Sequence, residues 1–143
     1  MTKTTSATKK KEVVKKWHHL DAENRVLGQL ANEIVELLMG KHKVNYSPNM
    51  NMGDGVIVTN SKKVVLTGNK ELGKVYYRHS RKVGNLKSLT ASQIRAKNPN
   101  KLIYLAVKGM LPKNKLRKAR LANLKIYEGA EHPHEAQVKS SNN

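Results

Sequence analysis

Cations dominate the residues in this sequence that could do chemistry. Between Lys108 and Lys125 lie seven basic residues, Lys108, Lys113, Lys115, Arg117, Lys118, Arg120 and Lys125, and no acidic one. Ammonium and guanidinium groups at this density neutralise several phosphates together, and binding built on them falls steeply with salt. A merely solvated helix face normally interleaves Glu for i,i+4 pairing, so contact with a polyanion is the stronger reading. A second segment, Tyr76-Tyr77-Arg78-His79-Ser80-Arg81-Lys82, mixes rings with cations. Rings stack on unpaired bases while Arg and Lys hold the backbone. Alternation along a strand turns one tyrosine inward and one outward; Tyr77 is taken with Arg78, His79, Ser80, Arg81 and Lys82 as the binding set. The third cluster, Lys41-His42-Lys43 with Tyr46 nearby, sits at a helix end. Phosphate contact and a solvated C-cap both fit it, and RNA contact is slightly favoured.

Other chemistry is sparse. His18 and His19 are adjacent, so on a strand they face opposite sides and make a poor ligand pair. His132-Pro133-His134-Glu135 is closely spaced, but no further His or Cys follows at the spacing of a zinc motif, so no metal site is expected. His42 and His79 read as neutral hydrogen-bonding groups on an RNA surface. Asp54, between Gly53 and Gly55, could be taken for a general base, yet turn chemistry accounts for it more simply. The sequence lacks a Walker A loop, a G-x-G-x-x-G run, a G-x-S-x-G elbow and any cysteine, so the phosphate cradle or nucleophile of the common enzyme classes is missing. No catalytic residue, cofactor or small-molecule substrate is expected.

The charge balance points the same way. The 143 residues carry 28 Lys and Arg against 10 Asp and Glu, a formal net charge of +18. From Leu72 to Tyr127 there are 15 basic residues and no acidic one. Ordinary solvated surfaces mix the two signs, whereas a surface laid against phosphate has no use for carboxylates. Anionic membrane is the other common counter-charge, but Lys113 to Asn123 has only Leu116 and Leu121 as apolar anchors, with no Trp or Phe, so no membrane partner is expected. No apolar run approaches the roughly 20 residues of a membrane span. The first 16 residues lack the apolar core of a secretory signal. No helix-turn-helix arrangement favours DNA. The absence of Cys is compatible with a cytoplasmic protein.

The elements that must position these groups are legible from periodicity. Trp17 to Asp21 reads as a strand, with Asp21 or Asn24 helping to start the next element. Leu27, Leu30, Ala31, Ile34 and Leu38 form one helix face, stopped by Gly40 at C′. Lys41 to Asn51 is a loop. Val56 to Thr59 and Val64 to Thr67 are continuous β-branched runs, the pattern of strands covered on both faces, as in parallel sheets. Lys74 to His79 reads as extended. Ser88 to Asn98 holds a short helix, with Thr90 and Gln93 spaced as a capping box. Asn98-Pro99 starts another helix, with Leu102, Leu105, Ala106 and Gly109 on one face, running to about Met110. Lys113 to Asn123 is a basic helix with Lys113, Arg117 and Arg120 on one face, and Leu124 to Tyr127 a last short strand. The expected organisation is a basic, disordered N-terminal arm over 1–15, one α/β domain over 16–127 and a loop tail over 128–143.

Four stretches carry a family resemblance: Gly53-Asp54-Gly55-Val56-Ile57-Val58, Tyr76-Tyr77-Arg78-His79-Ser80, Ala106-Val107-Lys108-Gly109-Met110-Leu111-Pro112-Lys113-Asn114, and Glu131-His132-Pro133-His134-Glu135-Ala136-Gln137. They resemble, in order from about Trp17 to Gln137, the bacterial large-subunit ribosomal protein L-thirteen family. The resemblance implies a three-layer α/β/α domain around a small, mainly parallel sheet. It implies a non-catalytic role in early large-subunit assembly, with large-subunit rRNA and neighbouring ribosomal proteins as partners, no homo-oligomer, and a place in the ribosome of the bacterial cytoplasm. By matching positions it directs attention to Arg78, His79 and Ser80, to Lys108 through Asn114, and to His132 and His134 as loop-fixing or RNA-facing groups. The sequence departs from the family after Ser80, where Arg81-Lys82-Val83-Gly84-Asn85 replaces a glycine-rich turn, and at Arg117, where Gly is common.

Overall fold

The computed structural model describes residues 13–141. Residues 1–12 of the expected N-terminal arm lie outside the described residues. A parallel sheet, in the order β1-β2-β5, forms the centre. Its strands are β1 (Trp17–Asp21), β2 (Gly55–Thr59) and β5 (Leu124–Ile126). β2 runs in the middle, pairing His18 with Val56 on one side and Val56 with Leu124 on the other. All five β2 residues are buried, as a strand covered on both faces requires.

The helix α1 (Leu27–Met39) buries Leu27, Leu30, Ala31, Ile34 and Leu38, the face expected, together with Val35 and Met39. Gly40 ends it in the left-handed region at φ 78°. Its start differs from expectation. Neither Asp21 nor Asn24 caps it; Val26 occupies the cap without a side-chain bond, because the Leu27 N–H donates to the Val65 carbonyl at 2.9 Å. A neighbouring backbone thus does what a capping side chain would do. α4 (Asn100–Met110) packs across α1. It buries Leu102, Ile103 and Val107, a face turned from the expected Leu105–Gly109 stripe. Two cores explain the turn: Ile103 and Val107 join the main cluster of α1, β2 and β5, while Leu102 joins a second cluster with Ala91 and Ile94.

The expected strand at Val64 to Thr67 does not form. Val64 is buried, Val65 and Thr67 are exposed, and among the described residues the only pairing is a single parallel bridge from Val65 to Val26. With one neighbour contacted at one residue, no ladder propagates. The chain continues through α2 (Lys70–Gly73) into an antiparallel hairpin of β3 (Val75–His79) and β4 (Leu86–Thr90). α3 (Ala91–Lys97) follows at once, and its Thr90–Gln93 capping box is complete. The basic helix is shorter than expected: α5 spans Leu116–Ala122, so Lys113 precedes it.

The residues expected to form a loop tail cover the second face of the sheet. Trp17 and His19 share that face with Gly55 and Ile57. The Trp17 ring lies so close to Gly55 that a Cβ there would come within 2.4 Å of it. His134 stacks on Trp17 at 6.1 Å between centroids, His132 packs on His19 at 5.2 Å, and α6 (Glu135–Ser141) lies against β1. The result is an α/β layering, with α1 and α4 on one side and the C-terminal segment on the other. Among the described residues no helix is long and apolar enough to cross a membrane.

Candidate nucleic-acid interface

Three regions were expected to carry RNA contacts, and the structure treats them differently. The first is the junction of α4 and α5. Met110 ends α4, and Leu111 is buried as an anchor. Asn114 then starts α5: its side-chain oxygen accepts from the Leu116 N–H at 3.1 Å. Arg117 reaches back to donate to the Lys108 carbonyl, tying the two helices together. Tyr104, Lys108, Asn114, Arg117 and Lys118 line the resulting groove. Lys108, Lys113, Lys115 and Lys118 are exposed, and none of them makes an ion pair within the described residues. Tyr104, 38% exposed, went unnoticed in the sequence. Its signal was there: it stands four residues before Lys108 on α4, hence on the same helical face.

Arg120 requires correction. Expected on the cationic surface with Lys113 and Arg117, it is only 1% exposed. α5 is short and packs on α1 and β5, so a position three residues after Arg117 turns toward the sheet. In this structure Arg120 belongs to the interior.

The second region is the hairpin. Tyr76 turns inward, packing with Leu89 on Ala91, Ile94 and Leu102; burial pushes its phenol pKa up. Tyr77, Arg78, His79, Ser80, Arg81 and Lys82 are all exposed. The atypical turn closes by Ser80 N–H donating to the Asn85 carbonyl and Asn85 N–H to the Lys82 carbonyl, with Gly84 at φ 77°. A glycine in the left-handed region makes this turn. Lys87, directly opposite Arg78, is a further exposed cation that belongs with this set.

The third region behaves otherwise. Lys41 is exposed, but His42 and Lys43 are engaged internally by Asp54, the aspartate that turn chemistry seemed to explain. Gly53 has no room for a side chain, since a Cβ would fall 1.6 Å from the Leu38 carbonyl oxygen. Asp54 therefore sits sealed between the end of α1 and β1, fully buried. Its Oδ1 accepts from the Lys43 Nζ at 2.5 Å and the Lys16 N–H at 3.1 Å. Its Oδ2 accepts from the Nε2 atoms of His18 and His42, each at 2.9 Å. Burial alone would raise this carboxyl's pKa; the hydrogen bonds from Lys43, His18 and the Lys16 backbone outweigh it and hold the pKa below its ordinary value. Lys43 also donates to the Val14 and Met52 carbonyls. The Lys43 ammonium, expected to face RNA, is directed at protein oxygens.

His18, His42 and Asp54 bring three metal-type donor atoms within 4.8 Å of one another. The sequence did not suggest this grouping, because 12 residues separate His42 from Asp54 and 36 separate His18 from it. The carboxylate already receives four hydrogen bonds, one from an ammonium, which accounts for its charge without an ion. The expected groups His132 and His134 pack on Trp17, His19 and Tyr127.

The family model for Ribosomal protein L13 matches residues 15–133. A large ribosomal subunit protein uL13 of Thermotoga petrophila is 55% identical over 133 residues, covering 93% of this chain and 89% of the relative. The protein of that name from Nitratiruptor is 51% identical, covering 97% and 99%. That of Geobacter sulfurreducens is 52% identical, covering 94% of each.

Proposed function

Because the chain belongs to the Ribosomal protein L13 family, we propose that it is a structural constituent of the large ribosomal subunit in the bacterial cytoplasm, binding rRNA through its basic surfaces and supporting early assembly. The observation that carries this reading is the α4–α5 groove. Tyr104 and the cations Lys108, Arg117 and Lys118 line it, and Lys113 is exposed at the junction between the two helices, inside a stretch from Leu72 to Tyr127 with no carboxylate. Phosphates are the partner such a surface fits, and positioning on the RNA backbone is what it offers, with limited reading of bases. Lys41, Lys115, Arg117 and the hairpin residues Tyr77 to Lys82 extend the surface. A rigid α/β core carrying separate cationic elements can bridge RNA helices and screen their mutual repulsion. Neighbouring large-subunit proteins complete the set of partners, and the chain acts as a monomer.

Sedimentation of a cell lysate at moderate and high salt, with the protein followed by mass spectrometry, tests the reading. The protein is expected to travel with the large subunit and to stay there at high salt. Recovery at the top of the gradient at both salt levels would overturn it.

A further inference from the structure

The β3–β4 hairpin carries more exposed chemistry than a link between two packed regions needs. Its register sets Arg78 opposite Lys87, Tyr77 opposite Ser88 and His79 opposite Leu86. Side chains alternate between faces along a strand, so the ribbon has two distinct sides. One side carries Tyr76 and Leu89 at its root, packed on the second core cluster, and beyond them the Arg78–Lys87 pair. The other side carries Tyr77, His79 and Leu86. Tyr77 is 69% exposed and Leu86 63%, and Arg78, His79 and Lys87 are exposed as well.

Neither side is favourable as it stands. Like charges directly opposite on paired strands repel. Neither Arg78 nor Lys87 makes an ion pair among the described residues, and the nearest stretch of chain has no carboxylate to offer. A phosphate seated between the two cations turns that repulsion into two charge-assisted hydrogen bonds. Across the ribbon, an exposed tyrosine ring beside an imidazole and a leucine offers a flat apolar platform. Bases stack on such rings regardless of sequence. A protein occupant would have to supply both carboxylates for one side and apolar surface for the other. A polyanion with flat apolar bases supplies both from one molecule, and it matches the net charge of +18.

We propose that the β3–β4 hairpin is a two-sided RNA blade in which Arg78 and Lys87 clamp a phosphate on one side while Tyr77, flanked by His79 and Leu86, stacks on an unpaired base on the other. The inference rests on the rRNA-binding reading and deepens it, since a blade separates two RNA segments where a flat basic surface would rest on one.

The test uses large subunits purified from cells in which the variant is the sole source of this protein. Their rRNA is probed with a ribose-acylating reagent, which reports nucleotide mobility, and with hydroxyl radicals, which report backbone exposure. Tyr77→Leu is expected to raise acylation several-fold at one or two adjacent nucleotides, while Tyr77→Phe keeps the wild-type pattern. Arg78→Gln combined with Lys87→Gln is expected to leave those nucleotides alone and to raise radical cleavage at a different backbone position. Loss of the Tyr77→Leu protein from the subunit with retention of Tyr77→Phe also supports the stacked ring. Loss of both variants makes the aromatic side structural and overturns the proposal. So do wild-type probing patterns in subunits that retain the variants, the result a protein occupant would give, and so do changes from both sides falling on the same nucleotides. A wild-type protein that is missing from large subunits altogether is a different result, and it sinks the rRNA reading itself.

Discussion

Asp54 accepts four hydrogen bonds in a fully buried site, and two of its donors are side chains that the sequence assigned to RNA. Asp54→Asn removes the charge and aims an amide N–H₂ at donors. Breaking a buried pair by removing one partner costs about 3 kcal/mol, so the variant is expected to lose stability of that order in equilibrium denaturant unfolding. The pH dependence follows from the lowered pKa. A carboxyl whose folded value lies below its ordinary 3.8 contributes stability that is full above that value and is lost as pH falls through the folded one. Wild-type unfolding free energy is therefore expected to drop on acidification below about pH 4, and Asp54→Asn to lack that component; equal acid slopes in the two proteins would contradict this. Arg120 gives the opposite expectation. Its guanidinium is buried, with Nε and Nη2 lacking hydrogen-bond partners, a costly state for a cation. Arg120→Met keeps the length and removes the charge, and is expected to raise unfolding free energy by about 2 kcal/mol. Sequence spacing could not separate these roles. Lys43 and Arg120 are cations with basic neighbours, as Lys41 and Lys118 are, and only burial and internal hydrogen bonds sort them.

Elements were more legible than residues wherever a local pattern was sufficient to specify them. The α1 face, its Gly40 stop and the Thr90–Gln93 capping box stand where periodicity put them, because 3.6-residue spacing and cap chemistry act within one turn. What failed depended on distant neighbours. Val64 to Thr67 has strand residues but contacts a neighbour at a single bridge, and the polar segment after Glu128 gains its place from rings on β1 and from Tyr127. The Gly53–Gly55 motif was visible, but its reason was not. Both glycines make room for a close approach, Gly53 to the Leu38 carbonyl and Gly55 to the Trp17 ring. At Gly53 the obstacle is backbone and cannot swing aside. Gly53→Ala must therefore push β2 away from the end of α1, which both strains the core and opens the seal over Asp54. Overpacking of this kind costs about 3 kcal/mol. The expected readout is a matching fall in unfolding free energy, with faster amide exchange at Asp54 N–H, which donates to the Leu37 carbonyl at 3.0 Å. Unchanged exchange at that amide would show that the approach is looser than the geometry requires.

For the whole molecule, burial and internal bonding divide the cations into two populations. Lys43 and Arg120 serve the fold, while Lys108, Lys113, Lys115, Lys118 and the hairpin cations stay exposed and make no ion pair among the described residues. A net charge of +18 repels itself in the free protein, so the exposed population gains most when phosphates replace solvent counterions. Only the exposed population should then carry the salt dependence of binding. Each phosphate contact removed lowers the slope of log affinity against log salt by about one. Lys108→Gln with Lys118→Gln, rebinding to large-subunit cores stripped of this protein, is therefore expected to reduce that slope by about two and to weaken binding most at low salt. Their unfolding free energy should be unchanged or slightly raised, since two repelling charges leave the groove. Arg120→Met should leave the slope at its wild-type value while altering stability. If Arg120→Met shifts the slope as much as the double lysine variant does, the buried guanidinium must reach phosphate in the bound state, and the division between fold cations and interface cations fails. If neither variant shifts it, the α4–α5 groove lies away from the RNA and the hairpin must supply the salt-dependent contacts.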